Sequence, residues 1–210
     1  MNGPSPTACA LPALLALLLA GCGNLLTSEQ PTRHHYLLSP IAAEPALTNR
    51  QTAPELTLGL VAIPGLDTDR ILALGTDARL NPYANARWPD HLPEVLASVI
   101  RRSLEATGRY AAVREAEAGV TEDWTLNLEV REFYGIQDAS GATTAVRVAL
   151  AGNVACGGAT HTLRLSEATP VAEERLAAVV AAHQAGLDAV TRQLIDRVHT
   201  LCAAQTGAGS

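Results

Sequence analysis

The amino-acid sequence predicts a single α/β or α+β domain, in which a mixed, mainly antiparallel sheet is flanked by helices and the last helix is long. Residues 124–134 and 145–150 alternate apolar and polar side chains, which is typical of strands with one solvated face. Residues 56–63 are almost all apolar, which indicates a central strand buried on both faces. Apolar residues recur every three or four positions over 176–201, which predicts an amphipathic helix covering one face of the sheet.

The first half of the domain contains four predicted strands. The first covers 35–38 and is ended by Ser39-Pro40, and the second, 56–63, ends at Pro64-Gly65. Two shorter strands are predicted at 71–74 and within 78–88, with turns near Gly75 and Asn81-Pro82.

The next element is a helix. Asp90 is placed to cap its N-terminus, Pro93 falls in the first turn, where a missing N–H is tolerated, and Gly108 ends it. Its apolar face has three- and four-residue steps: Leu92, Leu96, Val99, Ile100 and Leu104. A short strand at 110–113 follows.

An antiparallel meander and the long helix complete the domain. Turns at 138–141 and Gly157-Gly158 separate the two alternating strands from a third at 161–165. Thr169-Pro170 predicts the start of the last helix, because a Thr cap followed by Pro is a common first turn. The apolar stripe of this helix is predicted to be Leu176, Val180, His183, Leu187, Val190, Leu194, Val198 and Leu201, with His183 at the edge of the core.

The N-terminal segment predicts export and lipidation. Residues 8–20 form a short apolar run, too short to span a bilayer, and small residues follow it, as in a secretory signal. Leu19-Ala20-Gly21-Cys22 resembles the lipobox of bacterial lipoproteins. That resemblance implies cleavage between Gly21 and Cys22, acylation of Cys22 and, since Gly23 rather than Asp follows, retention at the outer membrane.

These features divide the chain into four segments. Residues 1–21 are the predicted signal peptide, 22–33 a tether, 34–202 the folded domain and 203–210 a flexible tail. The formal net charge is −6, and an acidic domain is a poor candidate for nucleic-acid binding.

Two cysteines remain in the predicted domain, Cys156 and Cys202. In an oxidising periplasm they are candidates for a disulfide closing a loop of about 45 residues. Two free thiols, or a metal site that includes the nearby His161 and His199, are the alternatives. The spacing shows neither Cys-x-x-Cys nor His-x-x-x-His, so no metal or cofactor is predicted.

The order of motifs resembles the ABC-type transport auxiliary lipoproteins, which include the PqiC-like intermembrane transport lipoproteins. After the lipobox come Tyr36-Leu37-Leu38-Ser39, Val61-Ala62-Ile63-Pro64, a Trp before a helix (Trp88) and the strand 128–133, and a long helix ends the chain. The resemblance implies a mixed sheet flanked by helices. It also implies partnership with MCE-domain and ABC or permease-type subunits that carry phospholipid or other hydrophobic cargo, with self-association left open.

The residues that could support catalysis do not form a recognisable motif. Adjacent His34 and His35 point to opposite faces of a strand, as Glu129 and Glu132 are also expected to do. Ser166, Asp188 and His183 could be named as a triad, but the sequence contains no Gly-x-Ser-x-Gly elbow. We expect Trp88, Trp124 and His183 to be packing residues and the protein not to be an enzyme.

Two hypotheses about function follow. In the first, the protein is an outer-membrane-anchored periplasmic lipoprotein that docks transport subunits, and segment 66–88 is the expected partner surface because loops commonly carry function. In the alternative, it is a stand-alone periplasmic enzyme or a lipoprotein that binds a hydrophobic ligand. An enclosed apolar cavity with converging polar groups would favour the alternative.

Overall fold

In the computed structural model, the described residues are 32–42, 53–116 and 123–206, and all of them except Thr32 belong to one compact unit, Arg33–Ser210. Cys22 and the predicted signal peptide, cleavage site and tether to residue 31 lie outside them. The elements are β1 (His34–His35), β2 (Glu55–Ala62), β3 (Arg70–Leu74), β4 (Leu80–Arg87), α1 (Leu92–Ala106), β5 (Ala112–Glu115), β6 (Trp124–Gln137), β7 (Thr143–Cys156), β8 (Ala159–Pro170) and α2 (Leu176–Thr206).

The strands form one eight-stranded mixed sheet organised around β6. On one side of β6 lies β7, antiparallel to it, and beyond that lies β8, antiparallel to β7. On its other side two strands lie one beyond the other along its length and parallel to it: β2 against 124–130 and β3 against 135–136. Strand β5 extends β2 in parallel, whereas β4 is antiparallel to β3 and carries β1 at its edge.

Both helices pack on the same face of this sheet. Leu56, Trp124 and Cys156 stand opposite one another on neighbouring strands, so they share a face, and the disulfide from Cys156 to Cys202 places α2 there. Helix α2 contacts β7 and β8, and α1 contacts β2 and β5. Gly186 lets α2 approach closely, because a Cβ there would lie 3.0 Å from Val148 Cγ2.

The structure confirms the predicted fold class, with its mixed sheet, its meander and its long last helix. The longest pairings, β6–β7 and β7–β8, are antiparallel. The two ends of the predicted central strand differ in burial: Leu56 and Leu58 are buried, but Val61 is 59% exposed. The pairing of β2 with β5 ends at Leu58, opposite Glu115, so the residues beyond Leu58 are not shielded by β5.

The predicted start of the last helix is wrong. Thr169 and Pro170 are the last residues of β8, where Thr169 pairs with Val146, and α2 begins at Leu176. The bond from Val171 N–H to Thr144 O shows that odd-numbered residues of this strand direct their backbone toward β7. The nitrogen of Pro170 therefore points away from the ladder, so proline is tolerated at this strand end.

Two further local predictions are wrong. Asp90 does not cap α1: its Oδ1 accepts a hydrogen bond from His91 N–H at 2.8 Å, and His91 occupies the cap position without a side-chain cap bond. Asn81-Pro82 is not a turn but part of β4, and the chain reverses instead between Gly75 and Arg79. The turn fits there because Ala78 adopts a positive φ of 61°.

Candidate functional site

Most of segment 66–88 forms the β3–β4 hairpin. This segment is the expected partner surface, yet Leu66, Ile71, Ala86 and Trp88 are all buried. Asp67 and Arg70 are exposed at the base, and residues 76–82, with Ala84 and Asn85, are exposed at the far end, which we call the hairpin tip (76–85). Leu80, one of its members, is an exposed large apolar side chain.

The base of the hairpin is fixed by bonds around Asp69. The Asp69 carboxylate forms a 2.7 Å ion pair with Arg87, whose side chain is only 18% exposed. The Asp69 carbonyl accepts a 2.7 Å hydrogen bond from Trp88 N–H. Trp88 then packs edge-on against Phe133, with ring centroids 5.7 Å apart. The tip is therefore held on a rigid base.

A second set of contacts joins the middle of β4 to β7. The hydroxyl of Tyr83 hydrogen-bonds the hydroxyl of Thr143, and burial of the phenol raises the pKa of Tyr83. Gly135 makes room for this contact, since a Cβ there would lie 3.0 Å from Tyr83 Oη and 2.7 Å from Thr143 Cγ2. The contact fixes the direction in which the hairpin tip projects.

We expect Tyr83→Phe to lower the free energy of unfolding by about 1 kcal/mol, the usual net contribution of one hydrogen bond. Urea denaturation measures the change. Thr143→Val removes the same bond from the other side, so the double variant should lose no more than the larger single loss. Additive losses would show that the two hydroxyls do not interact.

His183 lies deeper than the edge of the core where the sequence places it. Its side chain is 0% exposed and packs against Phe133 and Trp88, with ring centroids 4.9 Å and 5.5 Å away. Nδ1 lies 2.9 Å from Val179 O, and Nε2 has no hydrogen-bond partner among the described residues. Burial lowers the pKa of His183 to about 4.

These contacts do not assemble the triad considered from the sequence. His183 bonds the Val179 carbonyl, Asp188 accepts from Gln184 Nε2 at 2.7 Å, and Ser166 lies on the exposed side of β8. Among the described ranges, no group of three or more His, Cys, Asp or Glu side chains could hold a metal.

The expected opposition of Glu129 and Glu132 is wrong. A bulge in β6 shifts the register between Val130 and Glu132, so these glutamates pair with Ala151 and Ala149 and share the helix-free face. They are not a free carboxylate pair. Glu129 bonds Arg131 at 2.9 Å, and Glu132 bonds Arg147 at 3.0 Å.

Cys156 and Cys202 form a disulfide in the structure, with Cα atoms 5.7 Å apart. It connects the last turns of α2 to the β7–β8 turn, where Cys156 pairs with Ala159. His161 lies on β8 and His199 is exposed on α2. The two sulfurs are bonded to each other, which leaves neither thiolate to ligate a metal.

Two grooves of the described surface differ from the enclosed apolar cavity that the alternative hypothesis requires. One of ≈ 390 Å³ lies between β2 and α1 and includes Glu94 and Glu115 in its lining. Another of ≈ 430 Å³ follows β8 and is lined by Thr162, Leu163, Arg164, Leu165 and Arg197. Charged side chains line both. The fold thus defines a two-layer α/β domain that presents a hairpin, strand edges and charged grooves.

The chain belongs to the family of ABC-type transport auxiliary lipoprotein components, whose model matches residues 36–195. Protein XCC0632 from Xanthomonas campestris has a similar fold, with a TM-score of 0.63, 22% identity, and 86% of this chain and 99% of that chain covered. A second crystal structure, of an uncharacterized protein, gives a TM-score of 0.62 at 15% identity, covering 80% of this chain and 99% of the other. Comparison with curated proteins gives no match.

The match begins at residue 36, directly after β1, and ends at residue 195, within α2. It confirms the resemblance drawn from the motif order. The same range contains the hairpin, its buried base and most of α2. Within the described ranges, no helix is both long enough and apolar enough to cross a bilayer.

Proposed function

We propose that this protein is an outer-membrane-anchored periplasmic lipoprotein that serves an MCE/ABC-type intermembrane lipid transport system by docking and anchoring rather than by catalysis. Membership of the auxiliary lipoprotein family supports a transport role. The lipobox-like Leu19-Ala20-Gly21-Cys22 supports the anchor, and Gly23 supports the outer membrane. The observation that carries the docking role is the exposed hairpin tip on its fixed base.

The anchor acts through acyl chains on Cys22. Each buried methylene contributes about 0.8 kcal/mol, so one chain binds reversibly, whereas two or more hold the protein on the membrane. The domain would then remain within reach of the outer membrane while its exposed elements contact periplasmic partners.

The hairpin tip suits docking because its backbone is held before any partner arrives. Gly75 N–H bonds Arg79 O at 2.9 Å, and Asp77 pairs with Arg79, a contact that lowers the pKa of Asp77. An ordered tip loses little conformational entropy on binding. Leu80 supplies an apolar contact beside these charges.

We expect the hairpin-tip variant Arg79→Glu/Leu80→Asp to reduce recovery of MCE-domain and permease subunits at least tenfold when the lipoprotein is affinity-purified from detergent-solubilised membranes. Both side chains are exposed, so folding should be preserved. Arg175→Glu is the matched control, since Arg175 is also an exposed arginine in a short-range ion pair, with Glu173. Recovery of a lone monomer from the unaltered protein would contradict the docking role.

We expect Cys22→Ala to move the protein from the outer-membrane fraction to the soluble periplasm or to leave its signal uncleaved at the inner membrane. Membrane fractionation and mass spectrometry of the mature N-terminus measure the change. Cys9→Ala, a cysteine inside the predicted signal, is the control and should leave fractionation unchanged. Retention of the Cys22→Ala variant in the outer membrane would contradict the anchor.

A further inference from the structure

Strand β8 has an open edge. It pairs with β7 over its whole length, from Ala159 to Pro170, and with no other strand among the described residues. The pairing contains no register shift. Long regular edges are templates for strand addition, and proteins commonly protect them with bulges, lysines or internal prolines. Here the only proline is Pro170, at the end of the strand.

The backbone groups available at this edge follow from the ladder. Because Val171 N–H bonds Thr144 O, odd-numbered residues face β7 and even-numbered residues direct their N–H and C=O outward. The outward donors and acceptors belong to Thr160, Thr162, Arg164, Ser166 and Ala168. Their side chains lie on the helix-free face and are exposed.

Two arginines flank this edge, one from each layer. Arg164 lies on β8 and Arg197 on α2, and both line the same groove of ≈ 430 Å³. Both side chains are exposed. The other lining residues, Thr162, Leu163 and Leu165, are uncharged, so the groove is a positively charged site on a chain of net charge −6.

We propose that the β8 edge binds an acidic, extended segment of a partner polypeptide, which adds to the sheet as a further strand. Backbone bonds to the even-numbered residues would supply affinity, and carboxylates on the two faces of the added strand would pair with Arg164 and Arg197. This surface is separate from the hairpin tip. The inference rests on the proposed function only in that a docking protein needs a partner.

The test uses the mature chain in detergent and an acidic probe, Thr-Glu-Asp-Val-Glu-Asp-Thr-NH2, which carries fluorescein on its N-terminal amine and carboxylates on both faces of the extended chain. We expect the double variant Arg164→Glu/Arg197→Glu to weaken binding of the probe at least tenfold, as measured by fluorescence anisotropy. Arg102→Glu, an exposed arginine on α1, should change it less than twofold. A probe with lysine in place of each acidic residue should bind at least tenfold more weakly.

A backbone variant separates strand addition from simple charge attraction. Ser166→Pro removes one outward N–H without removing a bond to β7, so the fold should persist while probe binding falls at least fivefold. Ser166→Ala controls for the hydroxyl. Amide exchange by NMR should slow at Thr162, Arg164 and Ser166 when the probe binds, with no comparable change at Leu163 or Leu165.

Other outcomes would overturn the proposal. Protection of the same amides by self-association, seen as a dimer by light scattering without the probe, would assign the edge to a second copy. Binding of inorganic phosphate or anionic vesicles with the same arginine dependence but no amide protection would assign it to a headgroup or free anion. Absence of probe binding would also overturn it, while leaving recovery of transport subunits through the hairpin tip as a separate result.

Discussion

Removing the Cys156–Cys202 disulfide should lower the free energy of unfolding by about 4 kcal/mol and the melting temperature by about 10 °C. The bridge spans a sequence separation of 46 residues, and in the chain-entropy model its loss frees that loop in the unfolded state. Both cysteines are buried, at 3% and 0% exposure, so the pair also fixes the end of α2 on the core.

The sharpest comparison is between the oxidised and reduced protein, because reduction leaves every core atom in place. Urea denaturation with and without dithiothreitol should show the loss for the unaltered chain. The variant Cys156→Ala/Cys202→Ala should be unaffected by dithiothreitol and match the reduced protein to within about 1 kcal/mol. Equal stability of the oxidised and reduced forms would contradict a stabilising bridge.

Acidification should destabilise the protein through His183. The pKa of this histidine falls from an ordinary 6.5 to about 4 in the fold, where burial opposes the charged ring. The folded state therefore favours the neutral ring, and the contribution of His183 to the free energy of unfolding is fully present above pH 6.5. It is lost as the pH falls from 6.5 toward 4 and changes no further below that, for a total of ~3 kcal/mol.

Denaturation at a series of pH values measures this acid limb. His183→Leu removes the titrating ring from the contact with Trp88 and Phe133, so its stability should change little between pH 6.5 and 4. His199→Leu, an exposed position on the same helix, should keep the limb. An NMR titration of the His183 ring gives an independent reading, and a midpoint near 6.5 would contradict the prediction.

Local sequence patterns sufficed where an element's partners are its neighbours in the chain. The alternation in 124–134 and 145–150 identified the meander, and the three- and four-residue steps identified both helices. The same patterns failed at junctions. Thr169-Pro170 fits a helix start and a strand end equally well, and pairing with β7 decides between them.

The surface elements were harder to predict, because they depend on what lies beside them. The arrangement of β2 and β3 along one side of β6 joins segments far apart in sequence. The β6 bulge moved Glu132 to the face of Glu129, which a strict period of two cannot foresee. The juxtaposition of Arg164 and Arg197 likewise arises only when α2 packs beside β8.

By itself the sequence determined the lipobox-like motif, the family resemblance, the fold class and the periodic elements, because each is written in residues close together in the chain. The tertiary structure alone decided that His183 is fully buried, that the hairpin tip stands on a fixed base and that one edge of β8 has no partner strand among the described residues. Burial and pairing are properties of neighbours in space, and chain order does not specify those neighbours.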